Sequence, residues 1–92
     1  IGLIANDNLL GKTISNLKEA SARGAKIVLI ADEDLIHSID FAAHVIYVPS
    51  ANALLAPILL TIPVQILAYL TALEKGTDVD QPRNLAKSVT VE

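Results

Sequence analysis

The stretch Lys26–Ala31, KIVLIA, decides the fold class. Ile27, Val28, Leu29 and Ile30 follow one another with no polar residue between them. A strand with one wet face alternates apolar and polar side chains, whereas a strand covered on both faces does not. Gly24 stops the element before it, and Asp32 opens a polar connection after it. KIVLIA is therefore read as a buried strand of a parallel sheet.

Working upstream, Ile1–Ala5 (IGLIA) is a second such run, also expected to be buried on both faces. One of Asn6, Asp7 and Asn8 is expected to N-cap the helix that follows. Leu10, Ile14, Leu17 and Ser21 recur at helical spacing, with Lys12, Lys18 and Glu19 on the opposite side. Downstream, Asp32–Asp40 reads as a polar connection holding at most one helical turn. Val45–Val48 (VIYV) is a third strand, ended by Pro49. Strands alternating with helices predict an α/β unit: a parallel sheet of about three strands with right-handed crossovers.

Phe41–Leu73 contains no Asp, Glu, Lys or Arg, so a membrane span has to be weighed. Pro49 separates the strand from the rest, and Pro57 and Pro63 interrupt what remains. An interior proline costs a helix roughly 3 kcal/mol. Asn52 and Gln65 would also need polar partners in lipid. The reading favoured is a short helix from about Asn52, a kink before Pro63, and a helix to about Lys75 buried nearly all round.

The composition narrows the function classes. A chain of 92 residues makes at most one small domain. Without cysteine, disulfides and thiolate metal sites are excluded. The chain also lacks methionine, so Ile1 is expected not to be a native start and the chain to be the end of a longer protein. A net charge of −3 argues against nucleic acid, whose backbone calls for a basic patch. Phe41, Tyr47 and Tyr69 are too few aromatics for a base-stacking platform.

Few upstream residues suggest chemistry. Gly11-Lys12-Thr13 resembles the end of a phosphate-binding loop, but Asn6 stands where that motif requires its first glycine. Asp32, Glu33 and Asp34 follow a buried strand and suit helix capping and a solvated loop better than Mg²⁺. His37 and His44 have no third ligand spaced to join them, so no metal site is expected. Asp78 and Asp80 stand beside Arg83 and read as solvated or ion-paired.

The C-terminal stretch Lys75–Glu92, KGTDVDQPRNLAKSVTVE, differs from all of this. Gly76 and Pro82 break regular structure, and the charges balance. Residues 1–75 read as a platform and residues 76–92 as the irregular tail it presents. Lys87 lies between Ala86 and Ser88. Spacing alone makes it an ordinary exposed lysine. Packed in a cleft, its amine would be partly desolvated, which favours the neutral, nucleophilic form.

The run DQPRNLAKSVTVE strongly resembles the C-terminus of bacterial glucosamine-6-phosphate synthases, the isomerising glutamine–fructose-6-phosphate aminotransferases. Pro63–Val79, PVQILAYLTALEKGTDV, is similar to the helix and loop leading into that tail. Leu70 departs from the pattern, since many relatives are expected to have His there.

The resemblance implies the later part of the second sugar-isomerase (SIS) domain, a three-layer α/β/α sandwich, followed by an active-site tail. It implies a cytoplasmic enzyme of amino-sugar and cell-wall precursor synthesis that makes glucosamine 6-phosphate and glutamate from fructose 6-phosphate and glutamine. No cofactor and no metal are implied. Lys87 would open the sugar ring and form a Schiff base with C2, and the Ala86 carbonyl would contact the sugar. Partners would be the rest of the synthase chain, including its glutaminase domain, and a second copy through the apolar helix. Neither nucleic acid nor membrane is implied. The base, phosphate cradle and glutaminase nucleophile would lie outside this chain, leaving it inactive alone. The alternative is a non-catalytic sugar-phosphate-binding SIS module, which needs no reactive lysine.

Overall fold

A computed structural model describes residues 1–81 of the chain. Their order is β1 (Gly2–Ile4), α1 (Leu10–Ala22), β2 (Val28–Asp32), a 3-10 turn (Glu33–Leu35), β3 (His44–Val48) and α2 (Ala56–Glu74). The strands form one sheet in the order β1-β2-β3, parallel throughout. In register, Leu3 pairs with Ile30 and Ile30 with Ile46, while Ile4 pairs with Ala31 and Ala31 with Tyr47.

The central position of β2 explains its composition. Leu29, Ile30 and Ala31 are all 0% exposed. Successive side chains of a strand point to opposite faces. Leu29 and Ala31 join Ile4, Ile27 and Leu35 in one core, covered by Leu10, Ile14 and Leu17 of α1. Ile30 points the other way, into a second core with Val48 and Leu60, covered also by Val64. One helix on each face of the sheet gives the three-layer arrangement.

Burial on both faces holds for β2 but not for its neighbours. Leu3 is 44% exposed and Ile46 40%, although they flank the sealed Ile30 in register. For Leu3 the reason is geometric: α2 packs on β2 and β3, and a single helix covers little more than two strands spaced about 4.8 Å apart, which leaves β1 outside it. β1 and β3 are edges among the described residues.

The caps differ in part from expectation. The helix α1 starts one residue after Leu9, which has no side-chain cap. None of Asn6, Asp7 and Asn8 is the N-cap; instead Asp7 Oδ1 accepts from the Leu9 amide at 2.8 Å, forming the turn before the helix. Gly24, at φ 94°, closes α1: its amide donates to Ser21 O and that of Ala25 to Ala20 O, the paired bonds of a Schellman motif.

The helix α2 corrects two expectations. It is one element from Ala56 to Glu74 that continues through Pro63. Leu60 and Val64 bracket the proline and both pack on the Ile30–Val48 core, so the same apolar contacts pin the chain on either side of it. Asn52 does not begin the helix but organises its approach, its Oδ1 accepting from the amides of Leu54 and Leu55. Nor is α2 buried nearly all round. Leu60 is its only fully buried residue, and Ile58, Ile62, Ile66, Tyr69, Leu70 and Leu73 are between 46% and 59% exposed. By length and apolar composition alone, α2 would be able to cross a membrane.

The two cores make a direct prediction for stability. Ile30→Ala removes a sealed side chain between β2 and α2 and is expected to cost about 2–5 kcal/mol. Leu54→Ala, at a site 86% exposed, is expected to stay within about 0.5 kcal/mol. Urea unfolding midpoints of the two variants beside the parent check this; equal losses would contradict the assignment of the cores.

Candidate functional site

The residues singled out for chemistry, Ala86 and Lys87, lie outside the described residues. The described part of the tail ends at residue 81, and its start is well defined. At the end of α2, Gly76 adopts φ 70° and its amide donates to Leu73 O at 2.9 Å. The Thr77 amide donates to Ala72 O at 3.0 Å, and the Thr77 hydroxyl reaches the same carbonyl at 2.9 Å. This is a second Schellman closure, whose left-handed residue suits glycine best. Asp78 then turns the chain again, its Oδ1 accepting from the amides of Asp80 and Gln81. Asp78 thus organises a turn rather than forming a carboxylate pair with Asp80.

The carboxyl edge of the sheet carries the other polar cluster, and open α/β sheets commonly place their sites at that edge. Asp32 ends β2 and is only 5% exposed. Its Oδ1 accepts from the Asp34 amide at 2.9 Å, capping the 3-10 turn. Ser50 Oγ donates toward Asp32 Oδ1 and lies 2.5 Å from Asp34 Oδ2; with one proton, the hydroxyl serves one carboxylate at a time. The Ser50 amide donates to Glu33 Oε1 at 3.3 Å. The acidic triplet therefore ties the end of β2 to the exit of β3, with Asp32 in the capping role.

Ser50 was not singled out in the sequence. Its signal is the parallel register: Asp32 pairs with Val48, so the chain leaving β3 passes the end of β2. Behind this tie lies a cleft of about 320 Å³, between the ends of β1 and β2 and the first turns of α2.

The remaining candidates are not brought together. Gly11, Lys12 and Thr13 fall within α1, where the Thr13 hydroxyl donates to Leu9 O at 3.1 Å. His37 follows the 3-10 turn and His44 opens β3, both exposed. Among the described residues, no group of three or more His, Asp or Glu is gathered as metal ligands.

Comparison with known proteins supplies what the described geometry does not. No family model matches the chain. A glutamine–fructose-6-phosphate aminotransferase (isomerizing) of Legionella pneumophila is 55% identical over 92 residues, all of this chain and 15% of its own length. The enzyme of the same description from Pseudomonas putida is 58% identical over 87 residues, 95% of this chain and 14% of its own. The C-terminal domain of glucosamine-fructose-6-phosphate aminotransferase from Francisella tularensis superposes with a TM-score of 0.81 at 43% identity, over 87% of this chain and 23% of that one.

Over its full length the chain is homologous to a C-terminal segment of isomerising glutamine–fructose-6-phosphate aminotransferases.

It spans about one seventh of the length of those curated aminotransferases. The likeness to the Francisella domain extends over most of the three-layer unit, so the partial SIS sandwich expected from the sequence is the fold found. Leu70, where the aminotransferase pattern leads one to expect His, lies on the uncovered side of α2 at 54% exposure.

Proposed function

We propose that this chain works as the C-terminal portion of an isomerising glutamine–fructose-6-phosphate aminotransferase. The reaction moves the amide nitrogen of glutamine to fructose 6-phosphate, giving glucosamine 6-phosphate and glutamate. The observation that carries the proposal is the alignment with the Legionella aminotransferase, which runs through all 92 residues and so includes the tail.

In this reading residues 1–75 are the platform and residues 76–92 the tail. Lys87 supplies the amine that opens the sugar ring and condenses with its C2 carbonyl. Ala86 contacts the sugar through its main-chain carbonyl. The carbinolamine formed by attack of the neutral amine loses water to give the imine, so Lys87 must be able to release its proton. The acid/base residues, the phosphate cradle and the glutaminase half belong to chain beyond this segment. The assembly is cytoplasmic and uses neither lipid nor nucleic acid. The exposed stripe of α2, Ile58, Ile62, Tyr69 and Leu73 among others, is covered by protein, in part by a second copy.

Two measurements test this. Arginine keeps a positive charge and binds phosphate well but stays protonated in proteins. In the complete enzyme, Lys87→Arg is expected to reduce synthesis at least about 100-fold, with glutamine hydrolysis close to normal. Near-normal synthesis would remove the covalent role and leave the tail as a lid. The 92-residue chain by itself is expected to sediment as a self-associated species over a wide concentration range. A compact monomer throughout would show that α2 needs no partner.

A further inference from the structure

We infer that Asp78, backed by Gly76 and Thr77, is a positioning residue for synthesis: it sets the course on which the tail leaves α2, and so how often the Lys87 amine meets its substrate. The inference rests on the reading of Lys87 as the reacting amine.

The need for such a device follows from the length of the tether. Residues 75–86, twelve in number, separate the end of α2 from Lys87. Twelve freely turning residues would let the amine range over roughly 20 Å. An attacking amine has to come within about 3.5 Å of the carbonyl carbon, in line with it. A tether that long dilutes the amine around its target, and fixing the links nearest the anchor concentrates it.

The structure fixes those links one after another. Gly76 turns the chain at φ 70°, and its amide donates to Leu73 O at 2.9 Å. A Cβ at Gly76 would meet nothing within 4 Å, so glycine serves the backbone conformation alone. The Thr77 amide and hydroxyl both donate to Ala72 O, fastening the chain to the last turn of α2. Asp78 Oδ1 then accepts from the Asp80 amide at 2.9 Å and the Gln81 amide at 3.2 Å. Each of residues 75–81 is exposed, so hydrogen bonds rather than packing hold this course. Only residues 82–86 are left between Gln81 and Lys87.

The geometry also separates positioning from charge. One oxygen of Asp78 takes both amides, and an asparagine Oδ1 can do the same without a negative charge. A contact with a cation or with a sugar hydroxyl through the carboxylate would need the charge that asparagine lacks.

The test uses the full-length aminotransferase that carries this segment. Synthesis kcat, KM for fructose 6-phosphate, glutamine hydrolysis and the borohydride-trapped sugar adduct at Lys87 are measured together. Asp78→Ala is expected to lower kcat and adduct yield about tenfold while KM stays within about twofold. Its glutamine hydrolysis is expected to match the parent, which shows that the enzyme has folded. Asp78→Asn is expected to restore kcat to within about twofold of the parent. Gly76→Val, a β-branched residue at positive φ, is expected to lower kcat as Asp78→Ala does. The inference is overturned if Asp78→Ala keeps the parent kcat, if Asp78→Asn falls as far as Asp78→Ala, or if the loss lies in KM alone. Any of these beside a parent adduct at Lys87 leaves the reading of Lys87 standing, whereas a parent without the adduct overturns both.

Discussion

The pairing of β2 with a parallel strand on each side is the constraint from which the rest follows. It pairs Leu29, Ile30 and Ala31 on both edges and leaves all three completely sealed. A strand hydrogen-bonded on both sides can be covered only from above and below. That requirement draws α1 onto the Leu29–Ala31 face and α2 onto the Ile30 face. Parallel pairing also gathers the carboxyl ends of the strands on one edge. There Asp32, Ser50 and the approach to α2 meet. The acidic triplet is thus explained by topology: it fastens one strand end to the next and bounds a cleft.

The same constraint leaves the molecule visibly incomplete on one side. A sheet of three strands with single helices on its faces cannot cover Leu3 and Ile46. Nor can it cover the outer stripe of α2, about 28 Å long at 1.5 Å per residue. Exposed apolar area of this kind marks contact surfaces in proteins. It accords with a chain that spans about one seventh of its curated relatives. A helix this apolar would pass for a membrane span by composition, and Leu60 and Val64 pack it on the Ile30–Val48 core of the sheet. Gly76 then turns the chain off the end of that helix toward the segment that carries Lys87.

Much of this architecture was legible in the residues. Unbroken apolar runs located all three strands, and the spacing of Leu10, Ile14 and Leu17 located the inner face of α1. The errors have physical causes. Asn and Asp near a helix start can cap it or form the turn before it, and composition does not choose; Asp7 took the second role. Pro63 carries a local penalty that tertiary packing on both sides outweighs. Uniform apolarity in α2 was read as burial, but apolarity cannot say whether the covering atoms belong to this segment. Ser50 went unnoticed because its partners are distant in sequence and meet it only through the register of the sheet. For the tail the situation is reversed: no period or spacing marks Lys87, and its assignment comes from likeness to a family.

The central claim is that Lys87 forms a covalent imine with the keto sugar, and trapping that imine tests it most directly. The complete enzyme is reduced with borohydride in the presence of fructose 6-phosphate and then digested and peptide-mapped. The account predicts a sugar phosphate fixed to the Lys87 peptide, absent when the sugar is omitted. A fully sequenced tail peptide without the adduct, from enzyme that is still turning over, would contradict it.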